Sequence, residues 1–348
     1  MKWISGFRSF LYQVGLIKAV ELPAFTLSVG NLSWGGTGKS PFVSLLATYF
    51  LKQNISTLLL SRGYGRKERR ALILPGDKPL PPADKTGDEP WMIRSRNPGL
   101  AMAVHPRRAR IAKRSWLKLG APQLVLLDDG FQHWRAVRDF DVVMIDATEA
   151  FLSEKKNFVR FRESPRALAR ADLVILTRSN EVDSSRLQQW RSEITEYQRK
   201  SSNLNPWKRK KYSIPSKEIL ECGYYFRGFV DGESGKPVAA DSLKRPILIT
   251  GIAKPESFVQ VLRAQGVECS EEIVLSDHGD LSLSLRSRLR KEKPKLLMTE
   301  KDWARWRSFC ISENIPAVFA EVEMRFLGDS QQKLNSILEG ISKCITSA

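Results

Sequence analysis

The sequence predicts an α/β protein: a doubly wound, mostly parallel sheet, then a second, smaller α/β domain, with an amphipathic helix at the N-terminus. Three observations carry that reading. Short apolar runs alternate with helix-length stretches through most of the chain, the pattern of strand–helix–strand units whose sheet is covered on both faces. A glycine-rich turn over 33–40 separates the first apolar run from the first long helix. The alternation lapses between 200 and 215 and then resumes, which marks two units rather than one.

Taken in order, residues 1–23 set Trp3, Phe7, Phe10, Val14 and Ile17 three and four apart, with Ile4 and Leu11 on the flank. Lys2, Arg8 and Lys18 lie on or beside the polar side, so the segment reads as an amphipathic helix. It holds no continuous apolar run of spanning length and no small-residue cleavage site, and is therefore neither a transmembrane helix nor a secretory signal. Two readings fit it: a helix lying in a membrane interface, or a first helix docked on the protein's own core. The strand 25–29 follows, then the glycine-rich turn and a helix over about 39–52. Further apolar runs at 57–60, 100–104, 123–127, 141–145 and 173–176 read as strands of the same sheet. Pro106 and Gly120 bracket a helix over 107–118.

These elements make a first domain over 24–205. Ser201, Ser202, Asn203, Asn205 and Pro206 then run into the basic cluster Lys208-Arg209-Lys210-Lys211, a linker or exposed loop. A hinge is expected over 206–240, with a short extended segment at 223–230. The smaller domain, 241–348, has strands at 246–250, 273–275, 295–298 and 317–322, and helices at 255–264, 281–291, 302–309 and 331–343.

Composition bounds the function. Hydrophobic residues make up 42% and charged residues 27%, ordinary for a globular chain and inconsistent with wholesale disorder. Cys222, Cys269, Cys310 and Cys344 are far apart and form no CxxC pair, so they read as reduced thiols of a cytosolic protein, not as a metal site. Lys and Arg number 56 against 38 Asp and Glu, a net charge of +18. A surface that basic attracts polyanions, whether nucleic acid, an anionic bilayer or a phosphorylated substrate.

The most informative local pattern is Ser33-Trp34-Gly35-Gly36-Thr37-Gly38-Lys39-Ser40, between a strand and a helix. In that context the glycines let backbone N–H groups turn inward around phosphates, and the helix N-terminus adds partial positive charge. Lys39 would reach the β/γ oxygens of ATP and Ser40 would ligate Mg²⁺. Ser33 stands where the general phosphate-loop pattern begins with Gly. A second element agrees: 123–127 is an apolar strand ending in Asp128 and Asp129, and carboxylates there suit Mg²⁺ beside a phosphate loop. Asp-Asp after a strand is also a common turn or helix cap.

With these motifs, the chain resembles the tetraacyldisaccharide 4'-kinases of lipid A synthesis. The resemblance rests on Ser28-Val29-Gly30-Asn31-Leu32, Pro41, Ser61-Arg62-Gly63-Tyr64-Gly65-Arg66, Gly87-Asp88-Glu89-Pro90 and Asp128-Asp129-Gly130-Phe131-Gln132-His133. It continues through Arg162-Glu163-Ser164-Pro165, Asp277-His278 and Thr299-Glu300-Lys301-Asp302, in the family's order over nearly the whole chain. It implies a P-loop kinase-like fold of two α/β domains joined by a two-stranded hinge, and an N-terminal helix at the cytoplasmic face of the bacterial inner membrane, against an anionic lipid surface. The implied reaction moves the γ-phosphoryl of ATP to the 4'-hydroxyl of a tetraacylated glucosamine disaccharide 1-phosphate. Asp88 would be the base and His278 its partner, and Glu163, with Arg162, would lie near the nucleotide or metal.

A sugar hydroxyl is a poor nucleophile at neutral pH, so a positioned base suits this chemistry. On residues alone, Asp88 reads first as the turn of a Gly-Asp-Glu-Pro segment that opens a helix, and only second as a base. Arg107 and Arg108 sit at a predicted helix start, where cations oppose the dipole, and so suggest an anion contact; a solvated surface is the plainer alternative. Asn31, Arg62, Tyr64 and Arg66 are candidate substrate contacts, and His133 reads as structural. The chain departs from the family in Leu275-Ser276 before Asp277, in Gly279-Asp280 after His278, and in a long basic stretch over 199–211. Two other functions fit parts of the sequence. A P-loop ATPase acting as a nucleic-acid-binding or assembly factor would suit the charge, but no RRM or OB signature accompanies it, so no nucleic acid is expected. A soluble small-sugar kinase would make the N-terminal stripe part of the core.

Overall fold

The structure, a computed structural model, describes residues 11–12, 15–33, 36–66, 68–152, 161–199, 214, 217–252, 254–276 and 279–347. Most of the N-terminal stripe, Trp34 and Gly35 of the glycine-rich turn, the basic run 208–211 and Asp277-His278 lie outside the described residues.

The first half is built on strands β1 (Phe25–Asn31), β2 (Thr57–Ser61), β4 (Ala101–Val104), β5 (Leu124–Asp128), β6 (Phe140–Asp146) and β7 (Leu173–Thr177), all parallel, with β3 (Leu72–Leu74) antiparallel at the edge. Every residue of β1, β5, β6 and β7 is buried, as expected of parallel strands covered on both faces, which is why they read as continuous apolar runs. Helix α1 (Lys39–Lys52) turns Phe42, Val43, Leu46, Ala47 and Phe50 into one face of this core. Helix α2 (Asp88–Arg96) follows a single helical turn at Ala83–Thr86. The helix expected over 107–118 is shorter: α3 spans Arg108–Arg114, and a 3₁₀ turn at Leu117–Leu119 replaces its end. There the Ser115 N–H is shared between the Ile111 and Ala112 carbonyls, so the last turn tightens. Helix α4 (Ser184–Arg199) closes the half, burying Trp190 and Ile194.

The expected hinge holds a long strand. β8 (Glu218–Asp231) runs parallel to β7 over Glu218–Glu221 and antiparallel to β13 (Ala317–Phe326) over Cys222–Asp231, with β9 (Pro237–Val238) added at its far end. The extended segment expected at 223–230 is thus longer at both ends, because each end finds a different partner strand. Beyond it, β10 (Ile247–Thr250), β11 (Glu271–Val274) and β12 (Leu296–Thr299) are parallel to β13. Helices α5 (Pro255–Ala264), α6 (Leu283–Glu292) and α7 (Glu300–Ser312) accompany them. One sheet therefore runs β11-β10-β12-β13-β8-β7-β6-β1-β5-β2-β4-β3.

Helix α8 (Ser330–Thr346), which the sequence reading grouped with the smaller domain, lies elsewhere. Its Leu334, Ile337, Leu338, Ile341 and Ile345 join the core of α1 and β1. The second half keeps its own core around Trp303, Trp306, Leu289 and Met298. No helix among the described residues is long and apolar enough to cross a membrane.

Candidate active site

β1 lies between β5 and β6, so the strand order diverges on either side of it, and its carboxyl end opens a crevice suited to a ligand. The glycine-rich turn occupies that end. Gly38 adopts a left-handed φ of 80° as the residue before α1, and a Cβ there would fall 1.3 Å from the Tyr224 hydroxyl of β8. Only glycine meets both demands. Ser33 is buried and bridges to Phe161, and Gly36 is exposed. Thr37 is buried with its hydroxyl unpartnered among the described residues, as is the hydroxyl of Tyr224. Lys39 and Ser40 open α1, and Lys39 Nζ lies 3.6 Å from Asp129 Oδ1.

The two carboxylates at the end of β5 are treated differently by their surroundings. Asp128, 1% exposed, accepts a hydrogen bond from Ser61 Oγ at 3.0 Å, and its other oxygen is buried without a partner among the described residues. Burial, then the charges of Glu89 and Asp129, push its carboxyl up to about 7 against the pull of Lys39 and Ser61. Asp129 takes a left-handed φ of 47°. Arg162 Nη1 reaches both of its oxygens at 2.7 Å. Burial raises this carboxyl, but Lys39, Arg162 and Arg108 together hold it below the usual carboxylate range.

Arg108 has turned inward. Its Nη2 donates to the Asp129 carbonyl at 2.8 Å, and burial pulls its guanidinium down to about 10 against the charges of Asp129 and Asp128. It braces the acidic turn from behind, whereas Arg107 is exposed with its N–H donating to His105 Nδ1 at 2.9 Å. Glu163 is engaged by Arg170 and by Gln132 Nε2 at 3.2 Å, and the same Gln132 nitrogen donates to the Asn31 carbonyl at 2.8 Å. Arg170 in turn stacks 3.7 Å over Phe131.

A hard cation fits this corner. A hydroxyl and carboxylates are the oxygen donors Mg²⁺ takes, and the unpartnered buried oxygen of Asp128 is a ready ligand. Among the described residues no three acidic, imidazole or thiol groups converge on one point.

Beside this corner, Gly87 (φ 94°) packs onto the Gly63-Tyr64 backbone, a Cβ there meeting Gly63 Cα and the Tyr64 carbonyl at 3.1 Å. The 61–66 loop thereby lies against the start of α2, with Arg62 exposed, Tyr64 64% exposed and Arg66 bonded to the Arg70 carbonyl. Asp88 opens α2, and its carboxylate accepts from Arg305 Nε of α7 at 2.9 Å. On the other side of β1, Asp146 accepts from Lys254 Nζ at 2.8 Å, a second contact between the halves. Burial raises the Asp146 carboxyl, but Lys254, Thr148 and Arg178 outweigh it and hold it low.

Sequence reasoning did not find Tyr224, Lys254 or Arg305, which lie far along the chain in no motif that names a role. Ser61 and Gln132 stood inside quoted motifs without a role.

The sequence profile of the tetraacyldisaccharide-1-P 4'-kinases (LpxK) matches residues 1–342. A tetraacyldisaccharide 4'-kinase of Anaeromyxobacter dehalogenans is 33% identical over 312 residues, covering 86% of this chain and 77% of that protein. One of Syntrophotalea carbinolica is 30% identical over 350 residues, covering 97% and 90%. A crystal structure titled as an "apo" form of LpxK from Aquifex aeolicus in complex with ATP superposes with a TM-score of 0.68 at 23% identity, covering 99% of this chain and 95% of that one, a likeness of fold. By sequence match along nearly its whole length, the chain belongs to the tetraacyldisaccharide-1-P 4'-kinase family.

Proposed function

We propose that this protein transfers the γ-phosphoryl group of ATP to the 4'-hydroxyl of a tetraacylated glucosamine disaccharide 1-phosphate. The observation that carries the reading is the convergence of Lys39 and the Asp128–Asp129 pair at the end of β1 and β5, in a chain of this family.

Phosphates of ATP would lie in the turn over 33–40, held by backbone N–H groups and by Lys39. Ser40 and Asp128, with Asp129 and Glu163 as further candidates, would hold Mg²⁺, whose charge would offset that on the β and γ oxygens. Asp129 also anchors Lys39 and Arg162, so both cations stay at the crevice when phosphate is absent. Asp88 would take the proton of the 4'-hydroxyl as its oxygen bonds to the γ-phosphorus and the bond to the β,γ-bridging oxygen of ATP breaks. His278 is proposed as the partner of Asp88. Asn31, Arg62, Tyr64, Arg66 and Arg107 are proposed contacts to the acceptor, and the inward-turned Arg108 acts through Asp129.

The net charge of +18 and the amphipathic pattern of 1–23 support a peripheral seat on the anionic cytoplasmic face of the inner membrane. Incubation with Mg²⁺, γ-labelled ATP and the disaccharide 1-phosphate in detergent tests the reaction. A labelled bis-phosphorylated lipid, absent with Lys39→Ala, is expected. ATP hydrolysis without labelled lipid would leave a phosphate-loop enzyme with a different acceptor. Flotation with anionic liposomes, lost on deletion of residues 2–20, tests the membrane seat.

A further inference from the structure

Helix α2 meets helix α7 across the two halves through charged groups. Glu89 faces Lys301 at 3.9 Å, Arg96 pairs with Glu300 and approaches Glu321 at 3.9 Å, and the Arg307 guanidinium lies 5.9 Å over Trp91. Arg305 of α7 reaches Asp88, with Nε 2.9 Å from Oδ2.

This pair is unlike an exposed ion pair, which is mobile and contributes little. The side chains are 10% and 14% exposed. The guanidinium is held from behind: Nη1 donates to the Gly279 carbonyl at 3.1 Å and lies 3.5 Å from Asp302 Oδ1. Asp302 is itself buried and accepts from Thr250 Oγ1 at 2.8 Å, Thr299 Oγ1 at 2.7 Å and the Gly251 N–H at 3.1 Å. Gly251 leaves room for the group, since a Cβ there would stand 2.9 Å from Nη1. The second half thus presents a fixed cation, Arg305, to the carboxylate proposed as the base.

We propose that Arg305 is a positioning residue for phosphoryl transfer: it orients the Asp88 carboxylate toward the acceptor hydroxyl, so that the base is complete only when the two halves are in contact. The inference rests on Asp88 acting as the base. A guanidinium does this better than an ammonium, because its planar fork bonds Asp88 on one edge while Asp302 and Gly279 hold the other. Among the described residues, Arg305 of α7 pairs with Asp88, while Glu89, next along α2, pairs with Lys301; His278 lies outside the described residues.

The test compares Arg305→Met, Arg305→Lys, Lys301→Met and Asp88→Asn in the labelled-lipid assay, with nucleotide affinity measured separately. Arg305→Met is expected to lower kcat about 30- to 100-fold, the scale of a misplaced catalytic group, with the KM for ATP unchanged within about twofold. The acid limb of its kcat–pH profile moves to higher pH, because a carboxylate without its cation holds a proton more tightly. Arg305→Lys recovers part of the rate and moves the limb back. Lys301→Met, which breaks a neighbouring contact between the halves, keeps kcat within about twofold. The proposal is overturned if Arg305→Met retains kcat, if its pH limb stays in place, or if Lys301→Met loses as much. Full turnover in Asp88→Asn would instead remove the base reading, an outcome distinct from a normal Arg305→Met beside an inactive Asp88→Asn.

Discussion

Around the phosphate loop, the groups at the crevice come from one sheet. Lys39, Ser40, Ser61, Asp128 and Asp129 lie at or just beyond the carboxyl ends of β1, β2 and β5, three adjacent parallel strands with every residue buried. Around Asp88 the arrangement differs: the carboxylate stands on a nine-residue helix and its cation arrives from the other half, 217 residues along the chain. The first region is stiff because its strands are locked on both faces. The second is held by ion pairs between helices, which depend on how the halves meet. The proposed nucleotide side is thus a property of the sheet, and the proposed acceptor side a property of an interface.

The largest expected effect breaks the first region. Lys39→Ala removes the loop's cation and is expected to cut phosphoryl transfer by about 10³-fold or more without unfolding the protein, as measured by labelled-lipid yield and circular dichroism. Next, Asp88→Asn strikes the second region. It should lower kcat by about 10²- to 10⁴-fold while leaving nucleotide affinity nearly intact, the signature of lost proton transfer. An equal loss of ATP affinity would mean that the two regions are not separable.

A smaller effect probes the interface. Burial pushes the Glu300 carboxyl up despite Arg96, so this pair is held at a desolvation cost. Glu300→Gln keeps a hydrogen-bonding side chain and is expected to lower stability by about 1 kcal/mol, read by denaturant titration. The smallest is a pH effect on the stiff side. In metal-free protein Asp128 has its carboxyl raised to about 7, above the unfolded value of about 3.9, so between these values the folded state binds a proton that the unfolded state does not. Its contribution to stability is therefore present at low pH and lost as pH rises through about 7. Thermal midpoints of Asp128→Asn should rise relative to the parent as pH increases, and Mg²⁺ should reverse the difference by binding the ionised form.

Much of the fold was legible because parallel strands buried on both faces leave unbroken apolar runs. The helices 39–52 and 255–264 match Lys39–Lys52 and Pro255–Ala264 end for end, since Gly38 and Pro255 mark their starts. The strand β8 was legible only in its middle. Its two ends pair with different neighbours in opposite senses, and neither pairing leaves a local pattern. Helix α8 has an amphipathic pattern that announces a buried face but not which core receives it.

The same division runs through the site. Phosphate loops work through backbone N–H groups and one following lysine, so their chemistry must be contiguous, and residues 33–40 declare it in order. The role of Asp128 and Asp129 is half local. Their place after a strand is written in the chain, but the contrast between a protonation near neutral pH and a firmly ionised carboxylate arises from Ser61, Arg162, Arg108 and Lys39 folded around them. Arg108 turning inward, Tyr224 resting on Gly38 and Arg305 reaching Asp88 were decided by tertiary structure alone. Each is a contact between groups distant in sequence, set by where the sheet and the α2–α7 interface carry them, and periodicity and propensity act only over a few neighbouring residues.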